Sequence, residues 1–168
     1  MLILVLLPRT MMATSILILQ LAKIGTAAVT FMFFLKKISV QKPKTISLII
    51  FPTMYALMSY MVVQLMDPMW LDGLIYLPLI CWGVHRLVDE GKLVPYIVPL
   101  ALMFIAHFYI GYMVGIFTFF YFCWYCLSRE GRILPKKFFS RCVAFGIGTL
   151  VALTVSYTHL TLPTNSLV

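Results

Sequence analysis

Two side chains of opposite charge stand in apolar surroundings. Lys23 lies inside the hydrophobic run 15–35, and Asp72 opens the run 71–88. A lysine at the centre of a membrane helix costs about 2.5–3.5 kcal/mol on insertion scales. Lys23 is about eight residues into its run, roughly 12 Å along a helix axis. Near that end it can snorkel, which lowers the cost. Three uses fit such a cation: binding a lipid phosphate, pairing with an acid from a neighbouring helix, or simple snorkelling. Asp72 can pair with Lys23, orient an acceptor, help to hold a metal, or cap its helix beside an interfacial Trp70. Asp67, before Pro68, reads as a turn residue. His107, Tyr109 and Tyr112 offer aromatic faces and hydrogen-bonding groups. These suit a sugar or phosphate site, and equally an interfacial belt. The sequence shows no Cys/His metal spacing, no nucleophile triad and no phosphate-cradling glycine loop.

The elements that must carry these residues are membrane helices. Hydrophobic residues make up 62% and charged residues 11%, against about half and a quarter in soluble domains. A soluble chain of this length has too little interior to hide so much apolar surface. The fold class read from this is all-α, a polytopic transmembrane bundle of about six spans near 15–35, 46–65, 71–88, 93–108, 111–127 and 142–154. Each of the first three is long enough for a hydrocarbon core of about 30 Å. Pro52 is expected to kink the second span, and Pro78 to interrupt the third. Gly91 is a plausible helix stop. Gly111 and the cluster from His107 to Tyr112 argue that 93–126 is two short spans joined by a tight turn. Gly25, Ala27 and Ala28, and later Gly146 and Gly148, offer small faces for helix contact. The spacing Cys123-Trp124-Tyr125-Cys126 matches a redox motif, but it falls inside an apolar run without a nearby His or acid. With Cys81 and Cys142, these cysteines read as small buried hydrophobes.

Charge fixes the expected orientation. Of the 13 Lys and Arg, all but Arg9 and Lys23 fall in the loops 36–45, 85–92 and 128–141. The positive-inside rule makes those loops cytoplasmic and leaves 66–73 and 107–112 extracytoplasmic. A single helix over 93–126 would put the most basic loop outside, so the charge pattern also supports a hairpin there. The net charge of +8 is therefore a topology signal, and nucleic acid is not an expected partner. The expected setting is a cell membrane crossed several times, with the lipid bilayer as first partner.

The C-terminal stretch has another character. Val155-Ser156-Tyr157-Thr158-His159-Leu160, continued by Thr161-Leu162-Pro163-Thr164, resembles one reading frame of the transposase-end adapter used in DNA library preparation. Residues 155–168 are accordingly expected to be non-native. The transmembrane part is 1–154, with Leu153 the last wholly native codon.

Several motifs in series carry a family resemblance. They are Leu21-Ala22-Lys23-Ile24-Gly25, Phe33-Phe34-Leu35-Lys36-Lys37, Tyr55-Ala56-Leu57-Met58-Ser59-Tyr60, Met69-Trp70-Leu71-Asp72-Gly73, Leu77-Pro78-Leu79, Arg86-Leu87 and Phe108-Tyr109-Ile110-Gly111-Tyr112-Met113. In this order they resemble the bacterial YfhO family over about residues 15–127. Its members are large polytopic proteins of Gram-positive bacteria, similar to GT-C glycosyltransferases. The resemblance implies sugar transfer on the outer membrane face, from a polyprenyl-phosphate sugar to a cell-wall polymer such as teichoic or lipoteichoic acid. Lys23, Trp70, Asp72, His107, Tyr109 and Tyr112 are then the residues expected to bind substrate or lipid phosphate. The resemblance leaves a divalent metal open, and no metal ligand is assigned. His107 stands where the family usually has Asn, and His85 where an acid is common. The family's acidic catalytic loop precedes the Lys-Ile-Gly helix and is not in this chain. The chain is thus expected to be an internal fragment, inactive alone and without a catalytic residue of its own. A transporter or flippase of the lipid-linked sugar, and a structural membrane subunit, are the alternative readings.

Overall fold

A computed structural model describes residues 12–39, 43–129 and 135–161, with side chains over 14–39, 43–129 and 138–158. Arg9, Lys42 and Arg132, and the side chains of Lys136 and Lys137, lie outside the described residues. Helices follow one another: α1 (Met12–Ile38), α2 (Thr45–Ala56), α3 (Ser59–Val63) with a 3-10 turn at Gln64–Met66, α4 (Leu71–Glu90), α5 (Val94–Ala106), α6 (Phe108–Ser128) and α7 (Pro135–Thr161). There is no strand among the described residues. Among the described residues, five segments are long and apolar enough to cross a bilayer: Thr14–Ile38, Thr45–Met66, Leu71–Glu90, Phe108–Ser128 and Phe138–Thr158; Val94–Ala106 is a shorter sixth. Large apolar side chains such as Ile49, Phe51, Met54, Phe120 and Trp124 are turned outward, as a hydrocarbon solvent allows.

The central element is α4, which packs on α1, α5 and α6 and touches α7; α2 leans on α1, and α7 on α5. The larger core joins Ile80, Val84 and Leu87 of α4 to Tyr96, Leu100 and Phe104 of α5, with Phe122 and Phe145 added from α6 and α7. A smaller core joins Ala27, Met61 and Leu71. The approach of α4 to α5 depends on Gly83, where a Cβ would fall 2.4 Å from the Pro95 carbonyl oxygen and 2.6 Å from Tyr96 Cα.

Several expectations change in detail. α4 is unbroken through Pro78. Proline removes the N–H that would bond Leu74 O, and the Tyr55 hydroxyl donates to that oxygen instead at 2.8 Å. The second span breaks at Leu57–Met58 rather than at Pro52, which lies inside α2. Met58 takes an extended backbone with ψ 153°, and the resulting phase change puts Met61 in the small core. The expected loop 107–112 is a single extended residue, His107, because Phe108 to Tyr112 already belong to α6. Gly111 serves packing rather than a turn, since a Cβ there would lie 2.6 Å from the Phe104 ring. Likewise α4 runs on to Glu90, and the polar turn shrinks to 91–93. Gly91 ends α4 with φ 76°, the left-handed stop expected of it. Ala27 and Gly148 make the close contacts anticipated for small residues, whereas Gly25 and Gly146 face nothing within 4 Å. All four cysteines are free. The adapter-like stretch lies partly in α7, to Thr161, and partly outside the described residues.

Candidate functional site

The candidate site forms where α1 meets the turn between the second span and α4. A span's last carbonyls have no partners within their own helix, and lipid supplies none. Gln20 and Lys23, three residues apart on one face of α1, reach the end of the span and the turn just beyond it. The Gln20 amide donates to Leu65 O, and the Lys23 ammonium donates to Pro68 O at 2.8 Å. The same ammonium lies 2.6 Å from Asp72 Oδ1, with the two side chains 15% and 21% exposed. An ammonium has three donors, and these contacts use two. Asp72 occupies the first turn of α4, where negative charge is favoured by the helix dipole. The N-cap place belongs to Trp70, whose side chain makes no capping bond. The expected pairing of Lys23 with Asp72 is therefore present as geometry, and Asp72 is not the cap.

On the other side of the first turns of α4 lies an apolar groove of about 200 Å³, lined by Tyr60, Trp70, Gly73, Leu74, Leu77 and residues of α6 from Ile110 to Phe117. A helix turns about 100° per residue, so Asp72 faces α1 while Trp70, Gly73 and Leu77 face the groove. Gly73 lets α6 come close, since a Cβ there would lie 2.7 Å from Ile110 Cγ2. Trp70 and Tyr109 meet with ring centroids 5.9 Å apart. Tyr109 and Tyr112 are both more than half exposed. His107 caps α6: its Nδ1 accepts from Ile110 N at 3.4 Å. Of the six expected binding residues, the structure thus pairs Lys23 with Asp72 and Trp70 with Tyr109. It gives His107 a capping bond and leaves Tyr112 on an outward face of α6. Among the described residues no three of His, Cys, Asp and Glu gather as a metal site.

Sequence reasoning passed over two features. Gln20 and Tyr55 carry no charge, and their only signals are a donor inside an apolar run and a tyrosine on the span facing Pro78. The second feature lies at the basic end of the bundle. His85 Nε2 and the Tyr121 hydroxyl are 2.7 Å apart, and the His85 ring lies tilted against that of Tyr125 with centroids 3.9 Å apart. Tyr125 donates to Asp89 Oδ2 at 2.8 Å, and Arg129 donates to Tyr125 Oη at 2.7 Å. The pattern was readable as two matched helix faces, His85/Asp89 and Tyr121/Tyr125/Arg129, each with a spacing of four. It ties α4 to α6.

A model of the family described as bacterial membrane protein YfhO matches residues 1–166. No curated protein and no solved structure matches the chain.

Proposed function

The chain belongs to the YfhO family of bacterial membrane proteins, and from that premise we propose that it forms the membrane-embedded part of a glycosyltransferase. The reaction would move a sugar from a polyprenyl-phosphate donor to a cell-wall polymer, teichoic or lipoteichoic acid, at the outer face of the membrane. The observation that carries this reading is the Lys23–Asp72 pair, a cation held near one membrane face by a carboxylate it can exchange for a phosphate. In the transfer, an acceptor hydroxyl attacks the anomeric carbon and the carbon–oxygen bond to the phosphate breaks. Polyprenyl phosphate leaves, and the hydroxyl proton passes to a base. Lys23 stabilises the charge that gathers on the leaving phosphate, while Asp72 holds the ammonium in place between turnovers. Trp70 and Tyr109 give the sugar aromatic faces at the rim, and the apolar groove beside them suits an isoprenoid chain. The proton-accepting base is not assigned to a residue of this chain.

The test uses the intact gene product in proteoliposomes, with labelled polyprenyl-phosphate sugar already in the outer-equivalent leaflet. Label appearing on the acceptor polymer is the expected result. Donor that crosses the bilayer without any transfer would instead identify a transporter or flippase.

A further inference from the structure

A second groove lies on the outward side of the α4–α5 contact, toward the basic end. Gly83 lets the two helices touch backbone to backbone, and their outer flanks form a groove of about 320 Å³. Leu79 and Trp82 line it from α4, and Val94, Val98 and Leu102 from α5, with no polar surface in its wall. Its rim is not apolar. Arg86, one turn beyond Trp82, sets its guanidinium 5.8 Å from that ring. Lys92 stands two residues before Val94. On the far side of Trp82, Phe33 of α1 meets it edge-on at 5.1 Å and carries Lys37 5.7 Å above its own ring.

The charges at this rim are arranged around one acid. The Glu90 carboxylate accepts from Arg86 and lies 2.9 Å from Lys92 Nζ. Arg86, Lys92 and Lys37 outnumber it three to one. Arg86 Nε is shut away, so Arg86 meets the groove rim through its terminal nitrogens, one of which already holds Glu90. A purely lipid-solvated flank needs no such rim. An apolar slot ending in surplus cations, with aromatic rings at the boundary, has the form of an amphiphile site.

We propose that this groove binds one anionic phospholipid from the leaflet at the basic end. One acyl chain lies along α5, and the phosphodiester meets Arg86 and Lys92 in competition with Glu90. Lys37 adds attraction without direct contact. The lipid would brace α4 against α5 and α1 at the end of the bundle away from Lys23.

Trp82 makes the test direct. The chain has three tryptophans, so the variant Trp70→Phe/Trp124→Phe leaves Trp82 as sole reporter. In this variant, purified and titrated in micelles, dibrominated phosphatidylglycerol should quench Trp82 with about tenfold higher apparent affinity than dibrominated phosphatidylcholine, on the scale of one to two basic contacts. Adding Arg86→Gln/Lys92→Gln should bring the two lipids to parity. Adding Glu90→Gln should strengthen the preference, because it removes the competing carboxylate. Filling the slot with Val98→Trp, read by native mass spectrometry, should lower phosphatidylglycerol occupancy with every charge retained. Millimolar inorganic phosphate should leave the preference unchanged. Equal quenching by both lipids in the reporter variant would overturn the proposal in favour of an unselective lipid annulus. A preference that survives Arg86→Gln/Lys92→Gln would overturn it as well. So would abolition by phosphate alone, which would mark a soluble-anion site. Should the double glutamine variant not fold, Glu90→Gln and the phosphate arm still decide.

Discussion

Lys23 shows how an expensive residue is made tolerable at the scale of single side chains. Alone in hydrocarbon its ammonium would be unfavourable by several kcal/mol. In place, it meets both the Pro68 carbonyl in the turn after the second span and the carboxylate that opens α4. Removing one member of a largely desolvated pair leaves the other uncompensated. Lys23→Met should therefore destabilise by about 3 kcal/mol, and Asp72→Asn by less. The double variant should recover part of the loss, with a coupling of about 1–3 kcal/mol in thermal unfolding of the purified protein in micelles. Additive effects would show that the pair does not hold the turn. The sequence made this pair readable because two charges in apolar runs stand out. It did not make Gln20 readable, because an uncharged amide adds little to a hydropathy profile and its partner is a backbone carbonyl.

Elements obey the same accounting of backbone groups. The sequence alone suggests that Pro78 breaks its helix, since proline removes a hydrogen bond and crowds the preceding turn. The fold keeps α4 continuous, with the Tyr55 hydroxyl on the oxygen that Pro78 leaves unpaired. No local pattern could announce that, because the donor comes from another span. Tyr55→Phe should consequently cost about 1–2 kcal/mol in the native background. It should cost little in a Pro78→Ala background, where residue 78 donates to Leu74 O itself. Equal losses in both backgrounds would refute the assignment. The same reasoning accounts for the hairpin. Its existence followed from charge counting, but its turn contracts to His107 because that imidazole caps α6 directly. Gly91 was legible as a helix stop because its left-handed geometry is a local property.

At the scale of the whole molecule, α4 organises the bundle. It begins beside the Lys23–Asp72 pair and ends in the basic cluster, with contacts to α1, α5, α6 and α7 on the way. The number of spans was legible because apolar runs and basic loops alternate along the chain. Which helix is central was not legible, since nearly every helix here is apolar all round and lipid and core faces use the same residues. The orientation proposed from charge can be measured. In a background without the four native cysteines, Met66→Cys, at a position 93% exposed, should react with an impermeant maleimide on intact cells. Lys37→Cys should react only after permeabilisation. The reverse pattern would invert the topology and move the Lys23–Asp72 site to the cytoplasmic face.

The most direct measurement of the central proposal is the transfer rate of the intact gene product with Lys23→Met and Lys23→Arg, assayed on donor already in the outer-equivalent leaflet. If Lys23 neutralises the departing phosphate, Lys23→Met should lower kcat/KM by about 100-fold or more, on the scale of losing one preorganised charge contact. Lys23→Arg should restore part of that loss. A folded Lys23→Met protein that transfers sugar at the native rate would contradict the account and leave Lys23 a structural clamp on the turn before α4.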